Sequence, residues 1–267
     1  MKKKLLTTLA LSTLVLTLVG SRAMAAEVSG KTDTDVEFEA GGRPEVTKPE
    51  EGPNVPEILD PDPDPRPELG NVYVTHLPDI SFGASNKVSL NTIEYNALTE
   101  KRTKNTATEE FYMPLSAQVA DLSGSAATKW TLSVAQDDVY KSANSELENA
   151  RIRFYGNTVT SSAYTNADIL TKVAGIDLTA GHGVVPVTTK DTTSNPLEIL
   201  NVTEAGSTNN SYTSAVFANA YDEAEHSPAL TPIAERFDGV RLNVPASDQA
   251  QKEAYTAKLT WTLSVTP

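Results

Sequence analysis

Alternation of apolar and polar positions, rather than helical spacing, organises this chain from Asn71 onward. Val72 and Val74, Ala117 and Val119, Ile152 and Phe154, Ile176 and Leu178, and Leu197 and Ile199 each place apolar side chains two residues apart. So do Trp130, Leu132 and Val134, and later Val240, Leu242 and Val244. Successive side chains of a strand point to opposite faces, so each of these segments predicts a half-buried strand. The longest stripe runs through Tyr255, Ala257, Leu259, Trp261, Leu263 and Val265, close to the C-terminus. Polar stretches rich in Ser, Thr, Asn and Gly, such as 188–196 and 206–211, separate the segments and read as turns. Helical spacing is confined to about one turn each at Ser145–Ala150 and Ser247–Ala254. The pattern predicts an all-β, sandwich-like single domain with long loops over residues 71–267.

Within that pattern one pentapeptide recurs. Trp-Thr-Leu-Ser-Val stands at Trp130–Val134 and again at Trp261–Val265, and it holds the only two tryptophans of the chain. In each copy Trp, Leu and Val share one face and the two hydroxyl residues the other. The halves of the chain do not align outside the motifs, so one domain is expected in which the two motif strands are neighbours beside a shared core. Two roles are open to the indoles. They present aromatic surface for stacking on sugars or on a partner protein, or each anchors the core by burying on the order of 200 Å². The Leu and Val on the same face favour the core for both, more firmly for Trp261 with its longer stripe.

The paired Trp-x-Leu motifs, Trp130–Leu132 and Trp261–Leu263, and the approach Tyr255 to Trp261 ending in Leu-Thr-Trp, resemble the WxL family of Gram-positive surface proteins. The resemblance covers about residues 70–267. It implies an exported protein held non-covalently on the peptidoglycan of the cell wall, with Trp130, Leu132, Trp261 and Leu263 as motif residues that bind directly or act structurally. It also implies co-expressed surface proteins as partners. In an alternative reading the chain is a subunit of a surface adhesin complex that binds a partner protein, and its wall contact is indirect.

The region before the domain divides in two. Lys2–Lys4, the apolar run Leu5–Gly20 and the small-x-small triplet Ala23-Met24-Ala25 predict a secretory signal peptide over residues 1–25. Its apolar run falls short of the roughly 20 residues that span a bilayer. Residues 26–70 predict a disordered, acidic, proline-rich spacer: Glu27–Gly70 holds 13 acidic residues, four basic ones and eight prolines. The repeat Asp60-Pro61-Asp62-Pro63-Asp64-Pro65 can form neither helix nor inner strand and favours extended polyproline II. Alternating prolines splay the aspartates apart, against a calcium loop. Val36–Phe38 is a short alternating patch that reads as a strand able to dock on the domain or on a partner.

Composition removes several functions. There is no cysteine, which excludes disulfides, thiol chemistry and lipidation on sulfur. No Leu-Pro-x-Thr-Gly signal occurs, so no covalent attachment and no membrane anchor of its own are expected. Loss of residues 1–25 removes four basic and no acidic residues and takes the net charge from −13 to −17. Nucleic acid and anionic lipid are thereby disfavoured as partners. His76, His182 and His226 lack ligand spacing, and no nucleophile elbow or phosphate loop is present. Glu109-Glu110 and Asp137-Asp138 read as solvated loop charges. No enzyme, metal or cofactor is expected. Tyr95, Tyr140, Tyr164, Tyr212 and Tyr221 form a weak set of recognition candidates, since tyrosine combines stacking with a hydrogen bond.

Overall fold

The computed structural model describes residues 43–61, 66–105 and 107–266. The signal segment and the Val36–Phe38 patch lie outside them. Strand accounts for 39 % of the described residues, and helix for almost none. Among the described residues the α-helix is a single turn, Asn166–Ile169, capped by the Thr165 side chain on the Asp168 amide.

Three antiparallel sheets share one core. The first runs, from edge to edge, Glu68–Leu69, Val72–His76, Ser116–Asp121, Ser211–Val216 and Thr158–Ser161. The second runs Gly183–Val184, Arg151–Phe154, Arg236–Val244 and Ile93–Leu98. The third, the motif sheet, runs Val173–Ala174, Leu197–Val202, Lys129–Gln136 and Leu259–Thr266. Val74, Val119, Leu132, Ile152, Phe154, Ile199 and Val240 meet in the common core, all buried. The two motif strands are direct neighbours, as the repeat predicts. Trp130 pairs with Val265, Leu132 with Leu263 and Val134 with Trp261. The pentapeptide thus pairs antiparallel with its own copy, centred on the two leucines.

Several strands escape the alternation rule. Ser211–Val216 and Ser116–Asp121 are inner strands of their sheet and are covered on both faces; Ala117 and Val119 still mark the latter as expected, whereas the former shows no period two. Their largest buried polar side chain, Gln118, is fully matched to partners, whereas the Thr213 hydroxyl is buried without one. The Gln118 amide accepts from the Thr47 amide at 3.0 Å and the Thr75 hydroxyl at 2.9 Å. It donates to the Thr47 carbonyl at 2.9 Å and Ser214 Oγ at 3.0 Å. Two expectations fail locally. Ile176 and Leu178 lie in loop, with Val173–Ala174 taking the place at the sheet edge. Ser145–Ala150 holds the extended pair Glu146–Leu147 rather than a helical turn, and Ser247–Ala254 keeps only the 3-10 turn Ala246–Asp248 at its start.

The folded body also begins earlier than Asn71. Residues 46–59 form a hairpin, with the Leu59 amide donating to the Val46 carbonyl (2.9 Å) and Lys48 to Glu57 (2.8 Å). Val46 and Leu59 are thirteen residues apart, yet the hairpin sets them together over Phe111 and Met113 in a second apolar cluster. The hairpin tip is fixed to the body: Gly52 donates to the Tyr164 carbonyl at 3.1 Å and Asn54 to the Ser162 carbonyl at 3.0 Å. A Cβ at Gly52 would fall on the Ser162 carbonyl, so glycine is required there. Asp60 accepts from Arg102 Nε at 3.2 Å and from the Thr103 amide at 3.0 Å. Its proline-aspartate repeat therefore starts as an anchor rather than as a free spacer; residues 62–65 lie outside the described chain.

Candidate functional site

Trp130 lies in the inner strand of the motif pair, between Leu197–Val202 and Leu259–Thr266, and its side chain is 1 % exposed. Leu132 and Val134 beside it are fully buried. A buried indole N–H needs an acceptor. Nε1 donates to Thr208 Oγ1 at 3.0 Å, and that hydroxyl donates onward to Asp121 Oδ2 at 2.7 Å. Asp121, fully buried, also accepts from the Ser123 amide at 2.9 Å. The Thr208 hydroxyl is thus a relay that ties the motif sheet to the first sheet. Neither carries a motif: Thr208 falls in the polar stretch 206–211, and Asp121, at the end of the strand Ser116–Asp121, had no signal in the sequence.

Trp261 occupies a different setting. Its strand is the last of the sheet, paired on one side only among the described residues. Leu259, Trp261, Leu263 and Val265 are half-buried, packed against the core without being sealed in it. Thr260, Thr262, Ser264 and Thr266 form an exposed hydroxyl row on the other face. The expected ranking is reversed: Trp130 is the core anchor, and Trp261 is the more open indole. The length of an apolar stripe reports alternation alone. Whether further strands cover the stripe is settled by its place in the sheet.

The tyrosine set mostly serves the fold. Tyr140 is buried, Tyr95 donates to the Lys87 carbonyl at 2.6 Å, and Tyr221 stacks on His226 at 5.3 Å. The Lys172 ammonium stands 5.2 Å over Tyr164, and Tyr212, half-buried, lies in the inner strand Ser211–Val216. His76 is buried between Glu100 (3.0 Å) and Arg102 (3.0 Å). Asp138 pairs with Lys141 at 2.7 Å, while Glu109 and Glu110 are exposed.

One cluster escaped the sequence reading. Tyr155 lies beneath the Arg241 guanidinium (4.2 Å) and beside the His182 ring (5.1 Å). Its hydroxyl donates to Glu94 at 2.5 Å, and Arg153 (3.0 Å) and Arg241 (3.2 Å) grip the same carboxylate. Burial pushes the Glu94 carboxyl up, but the bonds from Tyr155, Arg241 and Arg153 outweigh it and hold the group below its ordinary range. Both cations are engaged with Glu94, although the Arg153 Nε is buried without a partner of its own. Among the described residues no group of acidic or histidine side chains is placed to hold a metal.

The two identical motifs therefore sit in unlike settings, one sealed in the core and one along a sheet edge. No curated protein and no solved structure matches the chain. The profile of one family, described as WxL domain surface cell wall-binding, matches residues 25–267. With that match spanning nearly its whole length, and with both Trp-x-Leu motifs paired at one sheet edge, the chain belongs to the WxL family of cell-wall-binding surface domains.

Proposed function

We propose that this is an exported surface protein that associates non-covalently with the peptidoglycan of a Gram-positive wall, using residues 71–267 and no chemistry of its own. The family match carries the reading. Residues 1–25, with their basic start and small-residue cleavage site, supply the export signal in this account. The contact runs along the open motif strand. Trp261 and Leu263 offer a partly exposed apolar stripe suited to the apolar faces of sugar rings, and the threonine and serine row on the opposite face of the same strand offers hydroxyls for hydrogen bonds. Trp130 and Leu132 act behind them as support. With a mature net charge of −17, contact by shape, stacking and hydrogen bonds is favoured over charge attraction to an anionic wall polymer.

The test is sedimentation of the mature chain with peptidoglycan stripped of protein and teichoic acid. Co-sedimentation that Trp261→Ala abolishes while the fold survives is the expected result. Co-sedimentation only with walls that retain their proteins identifies the adhesin-subunit alternative, in which a co-expressed surface protein is the receptor.

A further inference from the structure

The open edge of the motif sheet is itself a binding element, distinct from the side chains on its faces. The Asp137 amide donates to the Lys258 carbonyl at 2.9 Å, and the register then runs unbroken from Leu259↔Gln136 to Thr266↔Lys129. In an antiparallel ladder bonded and non-bonded pairs alternate. The even-numbered residues Lys258 to Thr266 therefore exchange bonds with the first motif strand. The N–H and C=O groups of Leu259, Trp261, Leu263 and Val265 face outward, where no described residue pairs with them. Long edges are normally blunted by charge, proline, a bulge or brevity. From Leu259 to Thr266 there is no charged residue, no proline and no register shift across eight residues.

We propose that this edge pairs with the same edge of a second copy of the chain, Leu263 opposite Leu263, joining two motif sheets into one continuous sheet across a twofold axis. The choice of occupant rests on the fold itself. Inside each molecule the Trp-Thr-Leu-Ser-Val strand already pairs antiparallel with an identical pentapeptide, leucine opposite leucine and tryptophan opposite valine. The chain thus already brings two such strands together residue by residue, as non-bonded leucine and tryptophan–valine pairs; across the seam the same matches would be the wider, bonded pairs. The hydrogen-bond parity agrees as well. Centring on Leu263 sets Trp261 opposite Val265 of the second copy, and all the residues so matched are those whose backbone groups face outward. A register shifted by one residue would set outward groups against inward ones. An isologous contact of this kind closes at the dimer and does not propagate.

A single eight-residue edge buries less than a standard interface of about 1,600 Å², so association in the micromolar range is expected. The edge is uncharged and the chain around it is acidic, so added salt should tighten the dimer by screening the long-range repulsion. The inference does not depend on wall binding, because its readout contains no wall.

Sedimentation velocity on the mature chain should show a monomer–dimer equilibrium. Thr262 and Ser264 point to solvent and would stand opposite each other across the seam. The double variant Thr262→Lys, Ser264→Lys puts like charges face to face and should weaken the dimer at least about tenfold, with an unchanged melting temperature. The cysteine-free chain gives a register test without background. Mixed Thr262→Cys and Ser264→Cys chains should cross-link under mild oxidation, since opposed non-bonded pairs lie about 4.5 Å apart at Cα. Either variant alone would set its cysteines on the diagonal, about 7–8 Å apart, and should cross-link far more slowly. A chain that stays monomeric to about 0.5 mM would overturn the proposal, since that excludes even weak association. So would a dimer indifferent to the lysines. A dimer lost only when residues 26–42 are removed would give the edge to that segment instead of to a second copy.

Discussion

At the scale of single residues, the two tryptophans separate stability from binding. Trp130 is sealed in the core and its indole nitrogen is spent on Thr208. Trp130→Ala should cost about 3–5 kcal/mol, as large buried aromatic deletions do. Wall binding should fall with the folded fraction, in step with it across temperature. Thr208→Val removes only the relay hydroxyl. It leaves the indole N–H and one Asp121 oxygen without their bond and should cost about 1–3 kcal/mol in urea unfolding. Trp261→Ala removes a half-buried ring from an edge, so its cost should be clearly smaller than that of Trp130→Ala under the same conditions. Equal costs would mean that the open setting of Trp261 does not persist in solution.

At the scale of elements, the hairpin 46–59 carries the sharpest revision. Composition marks this stretch as spacer because charge and proline dominate it, and deletion of Glu27–Pro67 would then leave melting unchanged. The structure predicts otherwise: Val46 and Leu59 are buried, and Thr47 satisfies the buried Gln118 amide. Leu59→Ala should cost about 2–5 kcal/mol, read by thermal melting against the parent chain. The same contrast explains what the sequence conveys. Period two reveals strands with one wetter face, so Lys129–Gln136 and Arg151–Phe154 were legible; Val72–His76, buried on both faces, was marked only by its two valines. It is blind to Ser211–Val216, buried on both faces with hydroxyls in place of hydrocarbon. It is equally blind to a hairpin that brings two isolated apolar residues together. The repeated pentapeptide was legible down to the pairing of its strands, because identical strands that share a core face are natural neighbours. Which copy lies at the edge was not, since edge position depends on strand order.

For the whole molecule, acid is the informative perturbation. Lys141 beside Asp138 holds that carboxyl at about 2, and Arg151 holds the Asp191 carboxyl below its ordinary range. The Glu94 network and the Ser142 and Asn144 bonds to Glu253 act in the same direction. A carboxyl depressed in the folded state stabilises above its unfolded pKa, near 4, and that stability is lost as pH falls through the folded value. Glu50 has the opposite sign, since burial raises its carboxyl. Between pH 7 and 5 two effects oppose each other. Protonation relieves the self-repulsion of an acidic chain, while His226, whose pKa burial lowers, resists charging below about 6.5. Below about pH 4 the depressed carboxylates outnumber Glu50, and folding should weaken steadily toward pH 2. Asp191→Asn should flatten this acid limb, because its amide no longer titrates, and should also lower stability at pH 7 by loosening the Arg151 contact at 2.9 Å. Thermal melts of parent and variant from pH 7 to pH 2 check both points. A parent melting temperature that keeps rising from pH 4 to pH 2 would show that relief of repulsion, rather than the loss of these paired carboxylates, governs the acid stability of the fold.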